Sequence, residues 1–208
     1  MSQIDNNAVV LFQGDSITEN WRRHEDGASL GIGYANVIAS QFGYKYPHKQ
    51  ATFLNRGIGG DRVTDLTRRW QTDCLDLKPT LVSIFIGIND TWRRYDANNP
   101  MSAEQFYTLY RNLLIVTKEE LNAGLVLMEP FLLPVREEQW SWREDLDPKI
   151  QAVRQLAREF GLPYVPLDGL FAAAAATSGP EYWAPDGVHP SAAGNGLIAE
   201  AWLKAVNA

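Results

Sequence analysis

Gly14-Asp15-Ser16-Ile17-Thr18 sets a hydroxyl behind a glycine and a carboxylate, directly after the apolar run Val9–Phe12. A serine hydroxyl is a poor nucleophile at neutral pH until a base takes its proton. The chain has three histidines, so the search for that base is short. His24 lies in the charged stretch Arg22–Asp26 and reads as solvated surface; His48 follows Pro47 in a polar loop with no carboxylate close in sequence. His189 differs, because it stands in Asp186-Gly187-Val188-His189-Pro190, ahead of the last helical pattern. Asp186 can accept the second imidazole N–H and hold the ring in the tautomer that accepts from serine. The chemistry such a set performs is acyl transfer through a covalent intermediate. Each segment also has a plainer reading: Asp and Ser are favoured helix caps, and a Gly/Pro loop before a helix is a turn.

Acyl transfer needs preorganised donors for the tetrahedral oxyanion. Asn55-Arg56-Gly57-Ile58-Gly59-Gly60-Asp61 follows the second apolar run, and its glycines let backbone approach a ligand closely. Gly87-Ile88-Asn89-Asp90 follows the third run and places an amide at its end. A backbone N–H of the glycine loop, the Asn89 amide and the Ser16 N–H would supply three donors. Alone, each is a turn motif; their order along the chain is what counts.

With these four blocks in this order, the sequence resembles the SGNH hydrolases, also called the GDSL esterase/lipase family. Ser16 stands in Gly-Asp-Ser-Ile-Thr, Gly60 in Gly-Ile-Gly-Gly-Asp, Asn89 in Gly-Ile-Asn-Asp and His189 in Asp-Gly-Val-His-Pro, and the match runs from about Val9 to Leu203. The resemblance implies a flavodoxin-like three-layer α/β/α sandwich. It also implies Ser16 as nucleophile, His189 as base, Asp186 as the acid that orients it, and Ser16, Gly60 and Asn89 as oxyanion donors. Asn89-Asp90-Thr91-Trp92-Arg93, then Tyr95-Asp96, with Trp183 ahead of the last block, look like the branch containing intracellular acetylxylan esterases. That branch implies hydrolysis of acetyl esters of carbohydrates. A lipase or thioesterase for longer acyl chains, and a carbohydrate-binding protein that lost catalysis, are the alternatives.

The elements that must position these residues are legible as alternation. Val9–Phe12, Thr52–Leu54, Leu81–Ile86, Leu125–Met128 and Tyr164–Leu167 read as buried strands, short, aliphatic and bounded by Gly, Pro or Asp. Between them, helical patterns cover about Tyr34–Phe42, Val63–Leu75, Ser102–Asn122, Pro148–Phe160 and Ala192–Val206. Ser102 and Gln105 have capping-box spacing, Asp147-Pro148 reads as a cap with proline at the first helical position, and Gly124 and Gly161 read as helix stops. The Ala172–Ala176 run reads as a short helical turn, and Phe131–Leu146 as an irregular segment walling the site. Strand-helix repetition with short joints implies five parallel strands covered on both faces, in one domain spanning residues 1–208.

Composition narrows the partners. A net charge of −6 argues against nucleic acid and anionic membrane surfaces; the pairs Arg22-Arg23, Arg68-Arg69 and Arg93-Arg94 read as solvated or ion-paired. Met1–Asn7 is polar and Ala8–Phe12 is too short for a signal-peptide core, so the expected location is cytoplasmic. Cys74 is the single cysteine, and no cluster has metal-ligand spacing, so neither disulfide, metal nor cofactor is expected. Gly27-Ala28-Ser29-Leu30-Gly31 fits the G-x-S-x-G pattern but lacks the buried strand that motif needs. Trp21, Trp70 and Trp202 read as packing residues. Trp92 and Trp183, beside catalytic blocks, are candidates for lining a pocket for the ester substrate, and Trp140 and Trp142 for that or a homo-oligomer contact.

Overall fold

In the computed structural model, which describes residues 4–208, each predicted apolar run contributes to one parallel sheet. Met1–Gln3, part of the polar N-terminal stretch, lie outside the described residues. The chain runs β1 (Val9–Gly14), α1 (Ser16–Glu19), α2 (Tyr34–Lys45), β2 (Thr52–Asn55), α3 (Val63–Asp73), β3 (Leu81–Phe85), α4 (Ile88–Asp96) and α5 (Ala103–Glu120). It continues with β4 (Gly124–Met128), α6 (Gln139–Phe160), β5 (Tyr164–Val165), α7 (Leu167–Ser178), α8 (Pro180–Trp183) and α9 (Ala192–Ala205). Strand order is β2-β1-β3-β4-β5, and every pair is parallel. This is the doubly wound order in which the crevice opens between the carboxyl ends of β1 and β3.

Successive strand side chains point to opposite faces, which divides the core in two. Val10, Phe12, Leu81, Phe85, Val126 and Met128 pack with Tyr34, Ile38 and Phe42 of α2 and Ile198 and Trp202 of α9. Leu11, Val82, Ile84, Leu125 and Leu127 face α3, α5 and α6 through Leu66, Trp70, Phe106, Tyr110, Leu114, Val153 and Leu156. The result is a three-layer α/β/α sandwich. Because both faces are covered, the strands carry no polar alternation. Ser83 is the polar exception inside β3, and its Oγ accepts the Trp202 indole N–H at 2.9 Å. No helix among the described residues is long and apolar enough to cross a membrane.

The Ser102 cap is made as its spacing predicts: Ser102 Oγ accepts the Gln105 N–H at 3.1 Å, and Gln105 Oε1 accepts the Ser102 N–H at 3.3 Å. Gly161 ends α6 in the left-handed region at φ 63°. Other expectations are corrected. Gly124 opens β4 rather than stopping α5, which ends at Glu120. β5 keeps two of its four predicted residues, because Leu167 starts α7, a helix that extends well past the Ala172–Ala176 run.

The largest correction concerns α6, which begins at Gln139 and carries Pro148 in its interior. Tertiary contacts outweigh the proline here. Arg143 donates to both Asp168 carboxylate oxygens at 2.6 and 2.8 Å, Trp142 is buried, and buried Lys149 pairs with Asp145. Pro148 and Glu144, whose carbonyl loses its helical donor, are both exposed, where solvent satisfies that oxygen. Half of the segment read as irregular is therefore regular helix. Trp70 and Trp202 are buried as expected, whereas Trp21 is 84% exposed at the end of the α1 turn, with positive φ.

Candidate active site

β1 delivers the chain to Asp15, whose Oδ1 caps the single turn of α1 by accepting the Ile17 N–H at 3.0 Å. Ser16 is thus the first residue of a helical turn at the carboxyl end of β1. The plainer cap reading and the nucleophile reading of this segment are compatible: Asp15 caps, and Ser16 is presented. Burial lifts the Asp15 carboxyl to about 7, against the pull of the Ile17 N–H and the His189 charge.

From the far end of the chain, His189 Nε2 comes to 2.9 Å from Ser16 Oγ, and its Nδ1 stands 2.6 Å from Asp186 Oδ2. The other Asp186 oxygen accepts the backbone N–H groups of Val188 and His189 at 2.9 and 2.7 Å. That carboxylate is therefore aimed by its own loop before it meets the ring. Burial alone would raise the Asp186 pKa, but the hydrogen bonds from the His189 ring and the two N–H groups carry it well below the usual carboxylate range. The same contact raises the His189 pKa, because an imidazolium beside that carboxylate is favoured; partial burial opposes it. The loop is pinned from behind by Gln139, the first residue of α6: its Nε2 donates to the Asp186 carbonyl at 2.7 Å, and the Leu133 N–H donates to the Gly187 carbonyl at 2.9 Å.

The glycine loop after β2 folds against α1. A β-carbon on Gly57 would fall 2.3 Å from the Glu19 backbone nitrogen, so only glycine fits there. Gly57 is held at both ends, its N–H by Asn55 Oδ1 at 2.8 Å and its carbonyl by the Arg22 guanidinium at 2.9 and 3.3 Å. Arg22 is buried, not solvated as its position beside Arg23 suggested, and among the described residues its guanidinium meets the Gly57 carbonyl and His24 and makes no ion pair. His24 is partly exposed and spans Glu19 and Arg22. Further along, a β-carbon on Gly59 would lie 3.8 Å from Ser16 Cβ, Gly60 adopts φ 84°, and the Asp61 carbonyl accepts one Asn89 amide hydrogen at 3.2 Å. Gly60 thus sits between a residue flanking Ser16 and a residue tied to Asn89. Neither the Ser16 nor the Gly60 N–H has a backbone partner among the described residues. Asn89 occupies the first turn of α4, where the sequence reading has the end of a strand; among the described residues its amide nitrogen donates only to Asp61. Next to it, buried Asp90 accepts the Val63 N–H at 3.2 Å and is pushed up to about 7 by burial.

Of the two candidate pocket tryptophans, Trp92 lies 6.3 Å from the His189 ring, centroid to centroid, and 5.3 Å from Trp142. Tyr95, three residues along α4 from Trp92, stacks on Trp142 at 5.5 Å and 14°. Trp142 is therefore an interior support for Trp92, which corrects its reading as a contact surface; Trp140 is exposed. Trp183 has different partners: its indole N–H donates to Ser178 Oγ at 2.8 Å and its ring meets Tyr182 edge-on. Sequence reasoning missed Arg22 and Gln139, and named Trp142 only as a pocket wall or contact residue. The burial of Trp142 is foreshadowed by its phase with Leu146 and Lys149 once α6 is known to begin at Gln139, but nothing in sequence spacing links Arg22 to Gly57.

The model of the GDSL-like lipase/acylhydrolase family matches residues 12–197. An acetylxylan esterase of Geobacillus stearothermophilus is 34% identical, over 98% of this chain and 96% of its own. Its crystal structure superposes with a TM-score of 0.92 at 34% identity, covering 99% of this chain and 97% of that one. A structure from Parabacteroides merdae, described as a GDSL-like lipase, gives a TM-score of 0.94 at 35% identity, with 98% and 97% covered.

Proposed function

The chain belongs to the GDSL-like lipase/acylhydrolase family and is a carboxylic ester hydrolase, and from that premise we propose that it removes acetyl groups from carbohydrate esters through a Ser16–His189–Asp186 triad. The observation that carries the triad is the continuous contact from Ser16 Oγ through the imidazole to Asp186, at 2.9 and 2.6 Å. With Nδ1–H donated to Asp186, Nε2 accepts the serine proton as Oγ attacks the ester carbonyl. The carbonyl π pair becomes an oxyanion, received by the N–H groups of Ser16 and Gly60 and the Asn89 amide. The intermediate collapses by breaking the bond to the alcohol, which leaves with the proton returned by His189. Water, losing a proton to the same nitrogen, then cleaves the acyl-enzyme and restores Ser16. The likeness to the Geobacillus acetylxylan esterase supports acetyl as the acyl group and a xylan-type sugar as the alcohol, with Trp92 as the face on which a sugar ring stacks.

Rates on p-nitrophenyl acetate and p-nitrophenyl octanoate test the acyl group. The acetate is expected to have the higher kcat/KM, since a short acyl group needs a small pocket and a long one an extended apolar trough. Preference for the octanoate would overturn the acetyl reading. Asn89→Ala is expected to raise the barrier by about 2.7–4 kcal/mol, mostly in kcat, if its amide serves the oxyanion. A loss below about tenfold in kcat would remove it from that role.

A further inference from the structure

Arg69 lies on α3 with its side chain only 13% exposed, and its one planar group meets four acceptors. Nε donates to Asp61 Oδ2 at 2.7 Å; Nη1 donates to Gln13 Oε1 at 2.9 Å and Asp73 Oδ2 at 3.1 Å; Nη2 donates to the Gly14 carbonyl at 3.2 Å. Gly14 ends β1, two residues before Ser16, and Asp61 directly follows Gly60. One guanidinium thus spans the segment that carries the nucleophile and the segment that carries the backbone oxyanion donor. The third segment joins through Asp61, whose carbonyl accepts from Asn89.

We propose that Arg69 is a positioning residue for acyl transfer: its fork fixes the gap between the Ser16 turn and the Gly60–Asn89 donors. The proposal rests on the reading of Ser16 as nucleophile and of those donors as the oxyanion site. A guanidinium suits the task because its donors are fixed in one plane, so the angle between the bonds to Gly14 and Asp61 is built in. A lysine ammonium keeps the charge beside Asp61 and Asp73 but is a point donor on a flexible stem, unable to hold both acceptors at that angle. The distinction separates positioning from plain charge neutralisation. Placement matters because a shift of about 1 Å in a reacting group costs about 10²-fold in rate.

The experiment compares Arg69→Met and Arg69→Lys with the wild-type chain and Ser16→Ala, reading kcat and KM on p-nitrophenyl acetate, labelling by a fluorophosphonate, and thermal unfolding. Arg69→Met is expected to lose about 10²-fold in kcat with KM within about twofold. The acid limb of its kcat/KM profile stays at the wild-type position, because His189 is not among the Arg69 partners. Arg69→Lys is expected to recover thermal stability but not kcat, and added guanidinium to restore part of the Arg69→Met rate. Wild-type kcat in Arg69→Lys, or a loss confined to KM, overturns the proposal. If Arg69→Met does not fold, Arg69→Lys decides alone by the same criterion. An active, unlabelled Ser16→Ala would instead bring down the triad reading, and the Arg69 role with it; an inactive Ser16→Ala beside fully active Arg69 variants rejects the positioning role only.

Discussion

Ser16→Ala is expected to lower kcat on p-nitrophenyl acetate by about 10⁶-fold, as loss of a triad nucleophile does, with the fold intact. The size follows from what the hydroxyl does. In the proposed mechanism it is the atom that bonds to carbon, so its removal closes the covalent route altogether. What survives is catalysis by the oxyanion donors and by substrate binding, about 10³–10⁴-fold over water. Stability should hardly move. The hydroxyl's partner is His189, which is partly exposed, so the truncation strands no buried polar group. Near-unchanged thermal unfolding together with lost turnover is the expected pair of results. A variant that kept more than about a hundredth of wild-type kcat would exclude Ser16 as the nucleophile.

Asp186→Asn is expected to cost about 10⁴-fold in kcat, the scale seen when a triad acid becomes an amide. Its Oδ1 can still accept the Val188 and His189 N–H groups, so the loop keeps its shape. The atom facing Nδ1 becomes an NH₂ donor instead of an acceptor. The ring then turns to the other tautomer, placing its proton on Nε2, where it blocks acceptance from Ser16. A second signature lies in the pH profile. The proposed mechanism needs neutral imidazole, so kcat/KM is expected to fall as pH drops through the His189 pKa, which the Asp186 contact raises from the ordinary imidazole value. Without that carboxylate, the acid limb of the residual activity should move to lower pH, toward the ordinary imidazole value. A limb that stays in place would mean that Asp186 does not govern the ring.

The sheet was readable because strands buried on both faces must be continuously apolar, and Val9–Phe12 and Leu81–Ile86 have no other economical use. The four chemical blocks were readable for a different reason: polar or glycine-rich turns follow three successive strands, and a carboxylate-histidine pair precedes the last helix, in one fixed order. What the sequence concealed depends on distant partners. Pro148 imitates a helix start, and only the Arg143–Asp168 pair and the burial of Trp142 against Trp92 and Tyr95 reveal that α6 begins at Gln139. Trp21 resembles a core residue by type, yet the left-handed turn after α1 points it outward. Arg22 and Arg69 are lost among ordinary charged residues, because the Gly57 and Gly14 carbonyls they reach leave no trace in composition and Asp61 and Gln13 are remote from Arg69 in sequence.

The span of 173 positions between Ser16 and His189 has a kinetic meaning. Contacts this remote close a long loop, whose entropy is lost before its contacts repay it, so they come after local structure has condensed. Under the proposed triad, a nascent chain with its sheet built stays inert until the segment before α9 settles beside α1. The reverse also holds: a fluctuation that lifts Asp186–Pro190 off its Gln139 and Leu133 anchors silences the chemistry while the strands stay paired. Under the proposed triad, turnover is thus a gauge of one long-range closure rather than of folded mass.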